Sequence, residues 1–518
     1  MREWFAGFSK YKIIGIILIG TCFFLTRLVF LAELPFGVHI DEAGSAYDAW
    51  SLANYGVDRY LKSWPVYFIN YKSGQNALYT YLCALCIKLA GYSVWTIRFP
   101  AVFSNLLTLV FGMLIVKRLF PKDESYFWWT GVLITICPYY ILAGRFGLES
   151  NLVLGFSTLF LYFFLSAIED GKIWQYFVAG ISGGVLLYTY ALTYIFVPIF
   201  LCLALVYCVW TKRFKFINWL VMALPWGILA SPLIAVQIIN FFDLPEAKWG
   251  IFTLTKLDYY RVSEIGRFSL SSFISVMKSV FIGDELAYNT ATGYANLYAI
   301  SILFAIVGLV CCICGSIKSL VKRQYQGSVL ILFWFLAIVL FCCHIIAPNV
   351  NKVNGTFFAL AFFTSCGIVN VVKCFGKLQK AIGTGVFIAY LALFVGFCVY
   401  YYGGQYQAEN GPLAYFDVLV TDGVERINSD PILSSKTTYM AESKVYFAVS
   451  TPISPYELDF TEEKNYGKFV FGTLPGISKE NNYIIRDIYE DYMNEFRAMG
   501  FIEEQYSGYS LFYALDEG

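Results

Sequence analysis

Residues Gly37–Asp48 read GVHIDEAGSAYD and place two acids side by side, Asp41 and Glu42, shortly after a long apolar run. That run extends from Ile13 to about Leu31, follows a basic flank and lacks a small-residue cleavage site, which is typical of a retained signal anchor. About 20 apolar residues suffice to cross a bilayer core. The pattern therefore predicts a first membrane helix that delivers an acidic pair to the membrane surface.

The composition indicates a protein whose body lies in a membrane. Of 518 residues, 58% are hydrophobic and 14% are charged, with a mean hydropathy of +0.61, whereas soluble domains contain about 45–50% apolar residues. The charge balance changes at about Gly403, because residues 403–518 hold 8 Lys and Arg against 19 Asp and Glu. We expect a membrane module over residues 1–402 and an acidic soluble domain over residues 403–518, with no nucleic-acid partner.

The cysteine positions and the absence of a phosphate-binding loop argue against a disulfide-rich protein, a zinc protein and a nucleotide-binding protein. All 14 cysteines precede Gly403, most of them inside apolar runs, where thiols behave as small hydrophobic groups. They predict neither a disulfide framework nor a zinc site. The sequence contains no GxxxxGK[ST] motif of nucleotide-binding proteins.

Eleven apolar runs are long enough, or nearly long enough, to span a bilayer. Basic residues collect on the cytoplasmic side of such proteins, and a cytoplasmic N-terminus places all later basic clusters on that side. These clusters are Lys117/Arg118/Lys122, Lys212/Arg213/Lys215, Lys318/Lys322/Arg323 and Lys373/Lys377/Lys380. The predicted spans centre on residues 13–33, 98–116, 126–143, 151–168, 173–189, 191–210, 217–239, 294–314, 327–343, 355–372 and 381–401.

Two further helices are predicted to lie in the membrane interface. Asn76–Leu89 has about fifteen residues, or roughly 22 Å of helix, and counting it as a span would invert the side of the later basic clusters. We expect it to be an amphipathic interfacial helix. A similar helix is expected from Glu42 to about Asn54, ending near Gly56. It would bury Ala43, Ala46, Tyr47 and Trp50.

This topology places the first loop (residues 34–97), a long loop at about 240–293, two short loops and the C-terminal domain on the outer side of the membrane. Alternating strand and helix patterns predict that this domain is a small α/β fold. Its predicted elements are strands at Thr437–Val449, Lys468–Gly472 and Tyr483–Asp487, a helix from Ile488 to Met499 and a hairpin from Phe501 to Leu515.

The acidic pair has two explanations, which are compatible. Asp41 can cap the interfacial helix while Glu42 lies in its first turn, each stabilising the helix by about 1 kcal/mol or less. Alternatively, Asp41 can be a general base that accepts the proton of an incoming hydroxyl, with Glu42 orienting it. Capping needs only one short polar side chain, so the presence of a second carboxylate favours the catalytic explanation over capping alone.

Other polar residues gather on the same predicted side, and each has a structural alternative. A cation there can bind a phosphate or anchor a helix at the interface. Arg145 and Glu149 can form an ion pair, and Lys352 can extend to the membrane surface. The candidate substrate-binding residues are Lys72, Gln75, Arg98, Arg145, Glu149, His344 and Lys352. A divalent metal on His39, Asp41, Glu42 and His344 is a further alternative, although no ligand spacing requires it.

Five short motifs carry a family resemblance: His39-Ile-Asp41-Glu42-Ala-Gly, Gly56-Val-Asp58, Gly74-Gln75-Asn76-Ala-Leu78-Tyr79, Arg98-Phe-Pro100, and Arg145 with Glu149. Over residues 13 to about 210 the chain resembles the polyprenyl-phosphate-sugar-dependent glycosyltransferases of the GT-C superfamily, in particular the protein O-mannosyltransferase and lipid A aminoarabinose transferase branch. The resemblance implies a GT-C fold, a sugar on a lipid phosphate as donor, Asp41 as the base of an inverting displacement and Glu42 as its partner.

The chain departs from this family at two places. Many relatives have Lys or Pro where Gln75 and Asn76 stand, and many have an Asp just beyond the position of Glu149. These departures weaken the transfer of the phosphate-binding and second-acid roles to this chain.

Together, these features predict a polytopic α-helical membrane protein with about eleven transmembrane helices and a small extracytoplasmic α/β domain. We expect a metal-independent inverting glycosyltransferase in a bacterial plasma membrane, acting on an extracytoplasmic glycan, lipid or protein. Two other classes remain open. A transporter or flippase of lipid-linked sugars is expected to show inverted repeats with matching broken helices, and a non-catalytic scaffold would tolerate Asp41→Asn.

Overall fold

The computed structural model describes residues 10–70, 73–258, 266–282, 288–291, 293–345, 348–410, 416–441, 444–461, 465–472 and 474–515. Lys72, one of the candidate substrate-binding residues, lies outside them. In the membrane module the helices are α1 Lys10–Leu28, α2 Ile40–Tyr55, α3 Ala77–Ala90, α4 Val94–Leu119, α5 Ser125–Ile136, α6 Pro138–Ala143, α7 Leu152–Asp170, α8 Ile173–Leu187, α9 Thr193–Trp210, α10 Phe216–Phe241, α11 Leu270–Phe281, α12 Ser301–Lys322, α13 Ser328–Cys342, α14 Phe357–Cys374 and α15 Gln379–Tyr402. Its strands are β1 Val38–His39, β2 Tyr67–Asn70, β3 Ser73–Asn76, β4 Ala247–Trp249 and β5 Phe252–Leu254.

Within the described ranges, eight helices are long and apolar enough to cross a membrane, so the chain is a multi-pass membrane protein. They are α1, α4, α9, α10 and α12, together with α7, α14 and α15 extended by the short turns that precede them. All eleven predicted spans coincide with helices, but three of them are shorter than a full span. Helices α8 and α13 have 15 residues each, or about 22 Å. The third breaks into α5 and α6 at Pro138, which has no N–H to continue the helix.

Close backbone contact holds part of the bundle together. A Cβ at Gly308 of α12 would overlap the carbonyl oxygen of Phe363 on α14, and a Cβ at Gly367 would overlap that of Phe304. Small residues let membrane helices approach in this way, and dispersion contacts then replace the hydrophobic effect as the packing force.

The two ends of the bundle carry different residues. At one end, here called the basic end, Lys12 pairs with Glu124 and Arg118 pairs with Glu169. The other end, here called the site end, carries α2, α3, β1–β3 and the C-terminal domain. The helix packing therefore collects the predicted polar loops at one end.

Both predicted interfacial helices are present. Helix α2 ends at Gly56, whose left-handed backbone (φ 73°) closes the last turn. Helix α3 has 14 residues and turns Thr80 and Cys83 inward. Its Leu85 and Leu89 are 56% and 79% exposed, whereas Leu78 and Leu82 pack against the core. The exposed end of the helix is therefore apolar, as expected for a helix lying against lipid.

The C-terminal domain contains a five-stranded sheet in the order β10 (Ile502–Tyr506), β11 (Tyr509–Tyr513), β9 (Asn482–Arg486), β7 (Thr438–Met440) and β8 (Phe469–Phe471). Strand β7 is parallel to both β8 and β9. The predicted strand Thr437–Val449 is correct only at its start. Lys444–Ser450 forms a helix instead, because Val445, Tyr446 and Val449 pack against α2. The elements are α16 Gln405–Asn410, β6 Phe416–Asp417, α17 Thr421–Ser429, α18 Pro431–Ser435, β7 Thr438–Met440, α19 Lys444–Ser450, β8 Phe469–Phe471, β9 Asn482–Arg486, α20 Glu490–Ala498, β10 Ile502–Tyr506 and β11 Tyr509–Tyr513.

Candidate functional site

A polar cavity of ≈ 160 Å³ lies at the site end. Six separate stretches of the membrane module build its wall, which combines two carboxylates, one ammonium group, several amides and two phenols. Of the predicted site residues, Asp41, Gln75, Glu149 and Lys352 line it. The other polar side chains on the wall are Asn70, Ser150, Tyr190, Tyr288, Asn349 and Asn351.

Asp41 is the acid that opens into this cavity. It is the second residue of α2, and its side chain is 47% exposed. Its Oδ1 accepts a hydrogen bond of 2.9 Å from Nδ2 of Asn70, a buried residue of β2. The described residues place no other hydrogen-bond donor on this carboxylate, so Oδ2 can accept a proton or a hydrogen bond from a ligand.

The helix cap is His39, and the prediction that Asp41 caps α2 is wrong. His39 Nδ1 accepts a hydrogen bond from the backbone N–H of Asp41 (3.1 Å), and Glu42 Oε2 accepts one from the backbone N–H of His39 (3.2 Å). This reciprocal capping box satisfies two of the free N–H groups at the helix start. Burial lowers the pKa of His39, against the opposing effect of Asp41 and Glu42. Capping by His39 leaves the Asp41 carboxylate available for chemistry.

Glu42 is fully buried and its carboxylate is occupied on both oxygens. Oε1 accepts from Arg98 Nε at 2.8 Å and from the Gly147 N–H at 3.1 Å, while Oε2 accepts from Arg98 Nη2 at 3.2 Å. A Cβ at position 147 would overlap Oε1, so any other residue there would displace the Glu42 side chain. The neighbouring acids therefore differ: Glu42 is held by the protein, whereas Asp41 is open.

Arg98 and Arg145 lie behind the cavity wall, and their geometry does not support the predicted contacts with substrate. Besides its bonds to Glu42, Arg98 donates to the carbonyl oxygens of Leu31, Pro35 and Gly37. Arg145 donates to the Tyr401 hydroxyl and to a second set of carbonyl oxygens, those of Thr26, Phe30 and Leu34.

These carbonyls belong to the last turn of α1 and the irregular chain that follows it. Buried backbone acceptors need partners, and at membrane depth water does not supply them. The two arginines thus allow the chain to leave α1 and turn into β1 inside the protein. Each guanidinium suits this task because its donors point in several fixed directions.

Three of the remaining predicted residues lie on the wall, and one lies elsewhere. Glu149 begins a short 3-10 turn, and its Oε2 accepts from the Asn76 N–H. Gln75 donates from Nε2 to Ser45 Oγ on α2 at 2.8 Å, and Lys352 lines the same cavity. His344 packs its ring against Phe268, with ring centroids 5.7 Å apart. No group of three His, Cys, Asp or Glu side chains in the described part of the chain is placed to hold a metal ion.

An asparagine network that extends inward from the wall was not predicted. Asn289 Nδ2 donates to Oδ1 of Asn151 (2.7 Å) and to Oδ1 of Asn351 (2.5 Å), and Asn151 donates back to Asn289 at 3.2 Å. This network joins three loops that are far apart in sequence. No local pattern in the sequence indicates it, because the contacts join distant loops and the left-handed backbone of Asn289 (φ 60°), which asparagine adopts more readily than most residues, is visible only in the structure.

The C-terminal domain holds the segment that carries Asp41. Strand β6 pairs with β1, which sets Phe416 opposite His39 with ring centroids 5.3 Å apart. Arg486 of β9 forms an ion pair of 2.9 Å with Asp417 of β6. Tyr47 of α2 also donates to a backbone carbonyl of the domain. The domain is therefore part of the support of the candidate site.

Known proteins share both sequence and architecture with this chain. Residues 76–235 match the family described as dolichyl-phosphate-mannose-protein mannosyltransferase. No curated protein matches the chain by sequence. The fold defines the class: a multi-pass membrane protein.

Within that class the chain is similar to ArnT from Cupriavidus metallidurans. The crystal structure of apo ArnT has a TM-score of 0.59 at 12% sequence identity, covering 97% of each chain. ArnT bound to undecaprenyl phosphate has a TM-score of 0.58 at 11% identity, covering 98% of each chain. The expectation of a GT-C fold is confirmed.

Proposed function

We propose that this chain is an inverting glycosyltransferase that moves a sugar from a polyprenyl-phosphate-linked donor to an acceptor hydroxyl at the site end. The observation that carries the proposal is the contrast between the two acids. The carboxylate of Glu42 is occupied by Arg98, Gly147 and His39, whereas that of Asp41 opens into a polar cavity and is oriented by Asn70. Asp41 is thus the group that can take a proton from an incoming hydroxyl.

The proposed step is a single displacement. Asp41 accepts the acceptor's hydroxyl proton while the acceptor oxygen forms a bond to the anomeric carbon of the sugar. The bond between that carbon and the phosphate oxygen breaks, and its electron pair leaves with the polyprenyl phosphate. Attack opposite to the leaving phosphate inverts the anomeric configuration.

Lys352 is the cation that we assign to the leaving phosphate, because it is the lysine whose side chain lines the cavity among the described residues. A fixed ammonium group stabilises the negative charge that develops on the leaving oxygen. Glu149, Gln75 and Asn351 offer hydrogen-bonding groups for sugar hydroxyls. The match to the mannosyltransferase family and the similarity to ArnT bound to undecaprenyl phosphate support a donor carried on a lipid phosphate.

The orientation is part of the proposal. Lysine and arginine clusters at the basic end favour a cytoplasmic location for that end. The site end and the C-terminal domain then face the outside of a bacterial plasma membrane, where an extracytoplasmic glycan, lipid or protein would be the acceptor.

The test is turnover of purified protein in nanodiscs with a panel of polyprenyl-phosphate sugars. Replacing a general base typically costs about 10²–10⁴ in rate, so Asp41→Asn should lose donor consumption by that factor without a change in melting temperature. Glu33→Gln is the matched control, because Glu33 is an exposed acid just before the same loop. Undiminished turnover by Asp41→Asn would overturn the base assignment.

Two further arms separate the alternatives. Movement of an intact lipid-linked sugar across the membrane without bond cleavage would identify a flippase instead. Loss of turnover on treatment with EDTA, restored by a divalent cation, would contradict the metal-independent step.

A further inference from the structure

The strand pair β4–β5 projects an apolar tip from the site end. Trp249 pairs with Phe252 across the turn Gly250-Ile251, and the left-handed backbone of Gly250 (φ 61°) permits this tight reversal. Trp249, Ile251 and Phe252 are 52%, 62% and 45% exposed. Three more large apolar side chains just before the hairpin are also exposed: Phe241, Phe242 and Leu244.

This surface continues the lipid-facing side of α10. Ile234, Ile238 and Phe241 follow one another at intervals of four and three residues along one face of the helix, and all are exposed. Beyond that face the chain continues through the exposed Phe242 and Leu244 to the hairpin, and the charged side chains of Asp243 and Glu246 lie along the same stretch. A cluster of large exposed apolar side chains of this kind marks a binding site for a membrane or a protein. The bilayer already covers the adjoining face of α10, which favours lipid as the occupant.

The chemistry of the tip also fits the boundary between headgroups and acyl chains. Trp249 presents a large apolar ring with one N–H donor, a residue type that concentrates at membrane interfaces. Next to it, the exposed Lys248 carries a cation suited to phosphate headgroups. The hairpin thus combines an apolar tip with one adjacent lysine, while the nearby acids Asp243 and Glu246 are paired with Lys256 and Lys62.

The other side of the hairpin is attached to the first loop of the site. Thr253 is buried and forms two backbone hydrogen bonds with that loop. Its N–H donates to the carbonyl oxygen of Ser63 at 3.1 Å, and its carbonyl oxygen accepts from the N–H of Val66 at 2.9 Å. An ion pair between Lys62 and Glu246 adds a second link. One residue after Val66, the chain enters β2, which ends at Asn70, the partner of Asp41.

We propose that the β4–β5 hairpin is a membrane-docking element whose tip, Trp249 to Phe252, inserts into the headgroup–acyl boundary of the leaflet at the site end. Its partner is the lipid surface itself. Because the hairpin is bonded to the loop that leads into β2, docking fixes the depth of the cavity relative to the bilayer. This inference does not depend on the proposed reaction.

The experiment measures the surroundings of the tip in the full chain, in nanodiscs of phosphatidylglycerol and phosphatidylethanolamine. Because the chain contains 14 cysteines, the nitroxide label is attached to a genetically encoded keto amino acid rather than to a thiol. The label replaces Ile251. Two reference positions are labelled in separate variants: Ile228 on α10, which is 68% exposed in a span, and Tyr456 in the C-terminal domain, which is 64% exposed.

Collision of the label with oxygen and with a polar nickel chelate distinguishes the outcomes. Oxygen partitions into lipid and the chelate stays in water, so a docked tip should show several-fold less collision with nickel than Tyr456 and oxygen collision approaching that of Ile228. Nickel access equal to that of Tyr456 would overturn the proposal by showing a solvated hairpin. Exclusion of both reagents would also overturn it, because the tip would then be packed against protein, such as a second copy of the chain.

Discussion

Removing the charge of Glu42 should destabilise the protein strongly, although the side chain makes no contact with the cavity. The variant Glu42→Gln keeps the shape but leaves Arg98 buried without a counter-ion. The amide oxygen can still accept from Arg98 Nε and Gly147, whereas an amide nitrogen at the Oε2 position would face two donors, Arg98 Nη2 and the His39 N–H.

The magnitude follows from burial. Both side chains have 0% exposure, and breaking a fully buried ion pair by removing one partner costs about 3–5 kcal/mol. For a chain of this length a loss of 1 kcal/mol lowers the melting temperature by about 2 °C or less. We therefore expect Glu42→Gln to melt at a temperature lower by up to about 10 °C.

The assay is thermal unfolding in detergent, with Glu33→Gln as the control. The double variant Glu42→Gln/Arg98→Met removes both charges, so its destabilisation should be smaller than the sum of the two single effects. A fall of less than 2 °C for Glu42→Gln, or strictly additive effects in the double variant, would refute the view that this ion pair holds the site together.

Three further predictions concern residues around the acid pair. Asn70→Ala removes the donor to Asp41 Oδ1. Loss of this orienting hydrogen bond, worth ~1 kcal/mol, should lower kcat several-fold with little change in the KM for the donor. An unchanged kcat would contradict the orienting role of Asn70. Burial and the neighbouring Asp48 raise the pKa of Asp58 to about 7. The fold therefore favours the protonated form of Asp58, whereas the unfolded carboxyl ionises at about pH 4. The melting temperature of the wild type relative to Asp58→Asn should fall as the pH rises from about 4 to 7 and stay level outside that range. A rise of this difference across the range would show that the pKa is shifted in the opposite direction. Arg486→Ala breaks the buried ion pair with Asp417 and the hydrogen bond to the Phe416 carbonyl, so it should reduce turnover by loosening β1. The control Arg497→Ala removes an exposed ion pair with Glu503 and should leave turnover unchanged.

Much of the architecture could be predicted from the sequence, because the local composition of a segment is enough to indicate a membrane helix. Each span needs only a run of apolar residues, and α2 and α3 follow from short amphipathic stretches, the first of which ends at Gly56. The positions of Asp41, Gln75, Glu149 and Lys352 in polar loops were sufficient to predict that they gather at one end. The helical conformation of Lys444–Ser450 was not predictable locally, since packing against α2 decides it.

The sequence by itself determined a membrane body and an acidic pair after the first span, because hydropathy and charge are properties of short stretches. Only the tertiary structure decided which acid is open and which is held. That choice depends on Arg98, 56 residues from Glu42, and on Gly147, 105 residues away. Arg98 and Arg145 looked like phosphate ligands because their charge was visible, whereas the carbonyls of residues 26–37 that they satisfy are invisible in a sequence. Asp41 opens into the cavity because His39 caps the helix and because Arg98 and Gly147 hold Glu42.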